Sequence, residues 1–526
     1  MYDARTGWRQ TLGASHAPSV AGALAAAAAF AANELFSGLA YGGPSLLVAV
    51  AAKIIDFSPK VVKDVAIAVF GTNDKLALAV MILVVGIGFG VGIGAASSYR
   101  FWMGQLGFGL FAILGAAAGV AYPLVPPMFA VLGAAVAGIS GISVLAYLLS
   151  LAPDSLPRLE RDARRGQRGR RSFLRVAGVL AVVVGAAAVG GRVLVQRAQS
   201  VVATRAMVVL PRPSRPAVPI LPGASIDVEG LAPIVTPNDE FYRIDTALVV
   251  PKVDLSTYTL KVEGLVSKPF ELSYDELLAM STVQRHVTLC CVSNEVGGPL
   301  VGNATWQGVP LRDLLDRAGV RPDASQVVGL SVDGFTAGFP VSAAYDGREA
   351  LVAVGMNNEP LPLDHGFPAR LVVAGLYGYV SATKWLDSIV LNRLEDFDGY
   401  WIPRGWAKEA PIKTQARIDV PRRGRVVQEG RQVVAGVAWA PHRGVTKVEV
   451  QIDDGDWQEA SLREAISKNT WRQWTLPWNT TPGSHVLRVR ATDATGVPQT
   501  SEKRRPDPDG ATGYHTLSVQ VVAKDR

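Results

Sequence analysis

Apolar residues are arranged in two different ways along this chain, and the change falls near residue 200. Before it they form long unbroken runs: no charged residue stands between Leu76 and Tyr99, and none between Phe101 and Ala152. A helix needs roughly 20 apolar residues to cross a bilayer, so the runs predict spans over 76–98, 101–122 and 126–150, with two more over 18–40 and 173–195. Lys53, Asp56, Lys60, Lys63 and Asp64 interrupt the stretch from Gly42 to Gly71, which predicts one or two short helices at the membrane surface, or a sixth span. After residue 200, prolines at 211, 213, 216, 219 and 222 predict an extended linker. Beyond it the apolar runs are short. Val287 to Leu289 reads as a strand delivering Cys290 and Cys291 into a turn, and Leu311, Leu314, Leu315 and Ala318 stand at helical spacing. Alternation of this kind to about residue 395 predicts an α+β or α/β core. From Arg422 onward, Val433–Trp439, Val445–Asp453, Gly483–Arg490 and His515–Val521 alternate with period two between Gly, Pro and Asp turns, the pattern of a β-sandwich. The predicted organisation is a membrane anchor over 1–198, a linker over 199–230, a catalytic-sized core over 231–400 and a C-terminal β domain over 418–526.

Charge refines the membrane part. Residues 1–199 carry 17 Lys and Arg against 8 Asp and Glu, whereas the remainder carries 35 against 37, so the basic character belongs to the N-terminal third. It says nothing of nucleic acid, and the chain has no Gly-rich phosphate loop or basic-aromatic interleaving, so no nucleic-acid partner is expected. Eight arginines lie between Arg158 and Arg175. Loops rich in Lys and Arg stay in the cytoplasm, so this loop is cytoplasmic and everything after about residue 198 is extracytoplasmic. Within it, Arg170-Arg171-Ser-Phe173-Leu174-Arg175 before an apolar run resembles a twin-arginine export signal placed internally. Of the six histidines only His16 lies near a span, which excludes a bis-histidine haem between the helices. Glu34, the one carboxylate at membrane depth, is a candidate functional group or a residue hydrogen-bonded to Asn33 or Ser37.

The two cysteines of this 526-residue chain are adjacent, at 290 and 291. Neighbouring cysteines scarcely reach disulfide geometry, and zinc would need more thiolate or imidazole ligands nearby. By spacing alone the thiols serve equally as packed small hydrophobes or as one thiolate for one soft metal.

Five motifs in order add to that reading: Thr236-Pro-Asn238 with Phe241-Tyr242-Arg243; Thr288-Leu-Cys-Cys291; Trp306-Gln-Gly-Val-Pro-Leu311; Met356 through Asp364-His365-Gly-Phe-Pro-Ala-Arg370; and Gly375-Leu-Tyr-Gly378 with Lys384-Trp385. Together they resemble the sulfite oxidase-type molybdopterin oxidoreductases. The resemblance implies Mo-molybdopterin as cofactor, with Cys291 as the metal's thiolate ligand and Cys290 a packed neighbour. It implies cofactor contacts at His365, Arg370, Ala382, Thr383 and Lys384, pocket roles for Asn238, Tyr242, Arg243 and Asp333, and a catalytic place facing the metal for Arg243. The C-terminal domain resembles the family's immunoglobulin-like dimerisation domain, which implies a homodimer, and Trp401 to Arg417 resemble the connector to it. The sequence departs from the sulfite oxidases just after the ligand, where Glu295 and Val296 replace cationic positions, and a small dianion would be poorly held beside Glu295. The implied activity is therefore oxygen-atom transfer on a small substrate such as a sulfoxide, with electrons exchanged through a separate partner. Sulfite oxidation and a non-catalytic surface-binding role are the alternatives.

Overall fold

The computed structural model describes residues 16–59, 62, 65, 69–70, 74–151, 163–197 and 205–524. These fall into two compact units divided near residue 200, with Ala247–Val249 grouped with the first.

The first unit is helical: Ala17–Ala40, Leu46–Phe57, Asp74–Ser97, Phe101–Val120, Pro127–Leu151 and Ala163–Arg197. Five of these contain a stretch long and apolar enough to cross a membrane, close to the limits expected from the uncharged runs. Large side chains such as Val84, Leu106, Ile113 and Val182 are exposed, as lipid-facing positions would be. Inside, small residues let backbones approach: a Cβ at Gly22 would stand 2.0 Å from the Gly90 carbonyl oxygen. Leu46–Phe57 is one of the short helices expected between 42 and 71; Lys60, Lys63 and Asp64 lie outside the described residues. Glu34 takes neither expected partner and accepts instead from the Ser45 hydroxyl at 2.6 Å. The Arg170-Arg171 pair falls on the last helix, its side chains outside the described residues, as are Arg158 and Arg161 altogether.

The second unit is built from four sheets. One runs β2 (Phe270–Ser273), β1 (Thr259–Gly264), β10 (Leu386–Asn392), β5 (Gln326–Ser331) and β6 (Thr336–Pro340), with β1 and β10 parallel. Another orders β3 (Val283–Cys290), β4 (Val301–Pro310), β7 (Ala350–Met356) and β8 (Glu359–Pro360), and β9 (Arg370–Val373) also pairs with β7. The helix expected from its spacing forms over Leu311–Ala318, buries all four apolar residues and ends at Gly319 with φ +68°. Two further sheets, β11 (Gln415–Val420), β13 (Gly430–Trp439), β17 (Arg472–Thr480) and β16 (Ser461–Leu462) against β12 (Val426–Gln428), β19 (His515–Val522), β18 (Gly483–Asp493), β14 (Val445–Ile452) and β15 (Trp457–Glu459), enclose one core to which Val434 and Trp474 contribute from one side and Val448 and Leu487 from the other.

The proline-rich segment is extended as expected, but it does not hang free. Arg215 bridges to Val283, the Ser214 amide donates to the Thr282 carbonyl, and the Gln307 side chain donates to the Pro211 carbonyl. Proline supplies no donors of its own, so the remaining amides and carbonyls cover the edge of β3 that would otherwise stay unpaired.

Candidate active site

Strand β3 is the foundation. Its residues are buried on both faces, and because successive side chains point to opposite faces, Leu289 enters one apolar cluster and Cys290 another. Cys291 follows the last strand residue, and its amide donates to the Leu300 carbonyl at 2.9 Å. That bond closes the turn and places Cys291 in the wall of a cavity. The two thiols are thus separated by pleat alone: Cys290 packs in the core, and Cys291 faces the open space.

The cavity wall also holds Tyr242, Asp245, Ser293, Asp333, Phe335, Arg370, Tyr379, Ala382, Lys384, Trp401 and Trp406. Of the residues expected here, Cys291, Tyr242, Asp333, Arg370, Ala382 and Lys384 therefore come together. Arg370 opens β9 and is buried; its guanidinium donates to the His365 carbonyl at 3.0 Å and stands over the Trp306 ring at 5.0 Å. Among the described residues it has no carboxylate partner within salt-bridge distance, and burial pulls its pKa down to about 10. Lys384 donates to Asp245 at 3.2 Å and to the Asp364 carbonyl at 2.8 Å, and burial lowers its pKa to about 8 against the pull of Asp245. The turn that sets these cations side by side needs Gly366: its φ is +109°, and a Cβ there would meet Lys384 and Arg370 at 3.0–3.1 Å.

The other expected residues stand behind or beside the cavity. His365 is buried edge-on to Phe241; its Nε2 bonds the Asn238 carbonyl at 2.9 Å, and its Nδ1 has no hydrogen-bond partner. Thr383 is buried with its hydroxyl on the Gly329 carbonyl. The Asn238 side chain turns to Glu359 and accepts from Asn357 at 2.8 Å, and only its carbonyl reaches the site, through His365. Arg243, expected to face the metal, is not among the lining residues. Its side chain is 43 % exposed and engaged with Asp245 at 3.1 Å.

Burial sets the remaining electrostatics. It raises the Cys291 thiol, offset by hydrogen bonds from Ser293 and the positive charge of Lys384. It raises Asp333, helped by Asp245, and it raises Tyr242 well above its usual range, helped by Cys291. It also lowers His365 to about 4, with Arg370 and Lys384 adding to the shift.

Because His365 is held neutral in the fold and has an ordinary value of 6.5, unfolded chains bind an extra proton as pH falls from 6.5 to 4. At about 1.4 kcal/mol per unit of displacement, protein lacking cofactor loses roughly 3 kcal/mol of stability across that window through this residue. Thermal unfolding of wild type and His365→Gln at pH 7 and pH 4 checks it: the variant should lose less on acidification, and parallel losses would refute the assignment.

Trp401 and Trp406, in the stretch expected as connector, also supply aromatic wall, packed edge to face at 6.3 Å. Asp245 was visible three residues after Tyr242, but its grip on both Arg243 and Lys384 depends on a partner 139 positions away. Glu295 is exposed and outside the lining, so it does not set the charge of the cavity.

A family model described as "Oxidoreductase molybdopterin binding domain" matches residues 247–401. An oxidoreductase of Bacillus subtilis, YuiH, is 33 % identical over 153 residues, which span 29 % of this chain and 74 % of that one. The chain belongs to the sulfite oxidase-type molybdopterin oxidoreductases. Mitochondrial sulfite oxidase of Mus musculus is 33 % identical over 290 residues, covering 46 % of this chain and 52 % of the relative. The chain therefore spans about half the length of the mitochondrial sulfite oxidases it matches. A solved structure, the sulfane dehydrogenase SoxCD of Paracoccus pantotrophus, aligns with 23 % identity and a TM-score of 0.48, covering 58 % of this chain and 86 % of that one.

The residues fit the cofactor that membership brings, Mo-molybdopterin. A buried guanidinium without a carboxylate and an adjacent buried ammonium suit its phosphate. The unpartnered Nδ1 of His365 is an orphan polar atom beside them, and the one cavity-facing thiol suits its metal. Among the described residues no group of three His, Cys, Asp or Glu side chains stands together as a metal site.

Proposed function

We propose that this protein is a membrane-anchored molybdenum-cofactor oxidoreductase that transfers an oxygen atom to or from a small sulfoxide-like substrate. When bound, the cofactor supplies a metal that exchanges two electrons as the oxygen moves. In this reading Cys291 holds the metal as a thiolate, while Arg370, Lys384 and the backbone around Ala382 and Thr383 hold the cofactor, with His365 and Asn238 behind them. Tyr242 and Asp333 shape the pocket, and Arg243 acts through Asp245 by orienting the carboxylate that Lys384 shares. The observation that carries the substrate class is the lining that Arg370 and Lys384 share with aromatic rings and carboxylates. Trp401, Trp406, Tyr379 and Phe335 with the carboxylates Asp245 and Asp333 suit a neutral or cationic sulfur or nitrogen oxide better than a dianion.

Sulfite is the second reading. The relatives named sulfite oxidases favour it, and so does the position of Glu295 outside the cavity, which removes the charge objection drawn from sequence. Steady-state assays over sulfoxides, N-oxides and sulfite separate the two: turnover on sulfite well above that on every sulfoxide and N-oxide would overturn the first.

The reading also places the catalytic unit outside the cytoplasm, exported by the Arg170-Arg171 signal, with the C-terminal domain as an immunoglobulin-like dimerisation module and electrons exchanged through a separate protein. Protease added to intact spheroplasts should then cleave the second unit; complete protection would refute that placement.

A further inference from the structure

Trp385 follows Lys384 directly and is buried, 1 % exposed, in the wall of the same cavity. Its φ is +48°. A left-handed backbone is a genuine outlier for a bulky side chain and persists only where the surroundings hold it there. The reason for it is directional. In an extended chain consecutive side chains point to opposite faces, yet Lys384 and Trp385 line one cavity together. The left-handed residue turns the chain so that both can, and the Lys384 ammonium stands 5.3 Å from the centre of the indole ring.

Three bonds hold Trp385 in this conformation, and each ends on a segment of the site. Its carbonyl accepts from the Val332 amide at 2.9 Å, next to Asp333, and its own amide donates to the Gly366 carbonyl at 3.4 Å. Its indole Nε1 donates to the Leu363 carbonyl at 2.7 Å, while Lys384 Nζ donates to the Asp364 carbonyl at 2.8 Å. Two consecutive side chains thus grip two consecutive carbonyls of the turn Leu363–His365. A ring that only filled space would need volume; a donor aimed at one carbonyl fixes an orientation.

We propose that Trp385 is a positioning residue for the molybdopterin cofactor: it acts through Lys384 and the turn that carries His365, and its indole N–H, more than its bulk, keeps the two at the spacing in which the cofactor is held. Contacts behind a binding residue lock its direction in this way. The inference rests on the reading of Lys384 as a cofactor contact and deepens it by naming the group that keeps Lys384 in place.

The test is the rate at which purified holoprotein loses molybdenum, followed by elemental analysis after desalting, beside thermal unfolding of the cofactor-free protein. With the five-membered rings superimposed, histidine carries Nε2–H where tryptophan carries Nε1–H. Trp385→His therefore keeps the donor and loses the benzo ring, whereas Trp385→Phe keeps a six-membered ring and loses the donor. Positioning predicts that Trp385→Phe loses molybdenum about tenfold faster than wild type or more, while Trp385→His stays within about threefold, although the histidine variant unfolds at a lower temperature for want of packing. Packing predicts the reverse order, and release from Trp385→His as fast as from Trp385→Phe, or faster, overturns the proposal. Should Trp385→Phe fail to fold, Trp385→His decides alone: release within about threefold of wild type upholds the proposal and faster release overturns it. Lys384→Met examines the reading beneath, since release as slow as wild type there would remove Lys384 from the cofactor contacts and take the proposal with it.

Discussion

Cys291→Ser lowers turnover by more than about 100-fold, the scale on which even outer-shell losses at metal sites are felt, while Cys290→Ser leaves most of the activity. The two residues are neighbours and both are buried, so burial cannot separate them. The difference is direction. Cys290 ends a strand with its sulfur in the apolar core, whereas Cys291 opens the turn and lines the cavity with Lys384. Thiolate character at Cys291 is opposed by burial and supported by Ser293 and Lys384, and a bound metal would complete the deprotonation. At Cys290, by contrast, burial raises the thiol well above its usual range. A hydroxyl there costs stability, about 1–3 kcal/mol, without touching the metal. Steady-state kinetics with X-ray absorption at the molybdenum edge checks both statements: Cys291→Ser should lose one sulfur neighbour and Cys290→Ser none, and the reverse pattern would reassign the ligand.

Arg370→Gln yields protein that folds but is purified without cofactor. The guanidinium is buried and held by backbone carbonyls with no carboxylate partner among the described residues. Its charge is therefore available to an anion, and truncating one partner of a buried charge pair costs about 2–5 kcal/mol. Glutamine retains a donor for the carbonyls but none of the charge. Molybdenum content by elemental analysis should fall to a small fraction of wild type while the circular dichroism spectrum is unchanged. Full molybdenum occupancy in a folded variant would show that Arg370 serves packing against Trp306 instead.

What could be read in advance follows the range of the physics. Helices long and apolar enough to cross a membrane are local features, since a run without charges is sufficient, and they formed close to the expected limits. The strand before the cysteines and the helix Leu311–Ala318 are also local patterns, one of a short apolar run and one of helical spacing. The site is less local. Its anchor residues were legible through motifs, but the direction each side chain takes was not. Arg243 was expected to face the metal, and its engagement with Asp245 depends on how Asp245 is shared with Lys384. Asn238 was expected in the pocket, yet its side chain is held by Asn357, on the distant turn after β7, and by Glu359, which opens β8. Trp401 and Trp406 reach the cavity only because the chain returns after β10, and nothing in their own neighbourhood announces it.

The strand before Cys291 and the loop after it both lean on the C-terminal domain. The Thr288 amide donates to the Asn469 carbonyl and its hydroxyl accepts from the Trp471 amide, Arg417 holds the Gly298 carbonyl, and a Cβ on Gly297 would stand 2.1 Å from the His515 ring. A fragment trimmed at the end of the family-matched region would keep every proposed cofactor contact and still lose the buttress behind its metal ligand. Any assay on a shortened form therefore has to retain β19, because the geometry around Cys291 is finished by residues from the last strand of the chain.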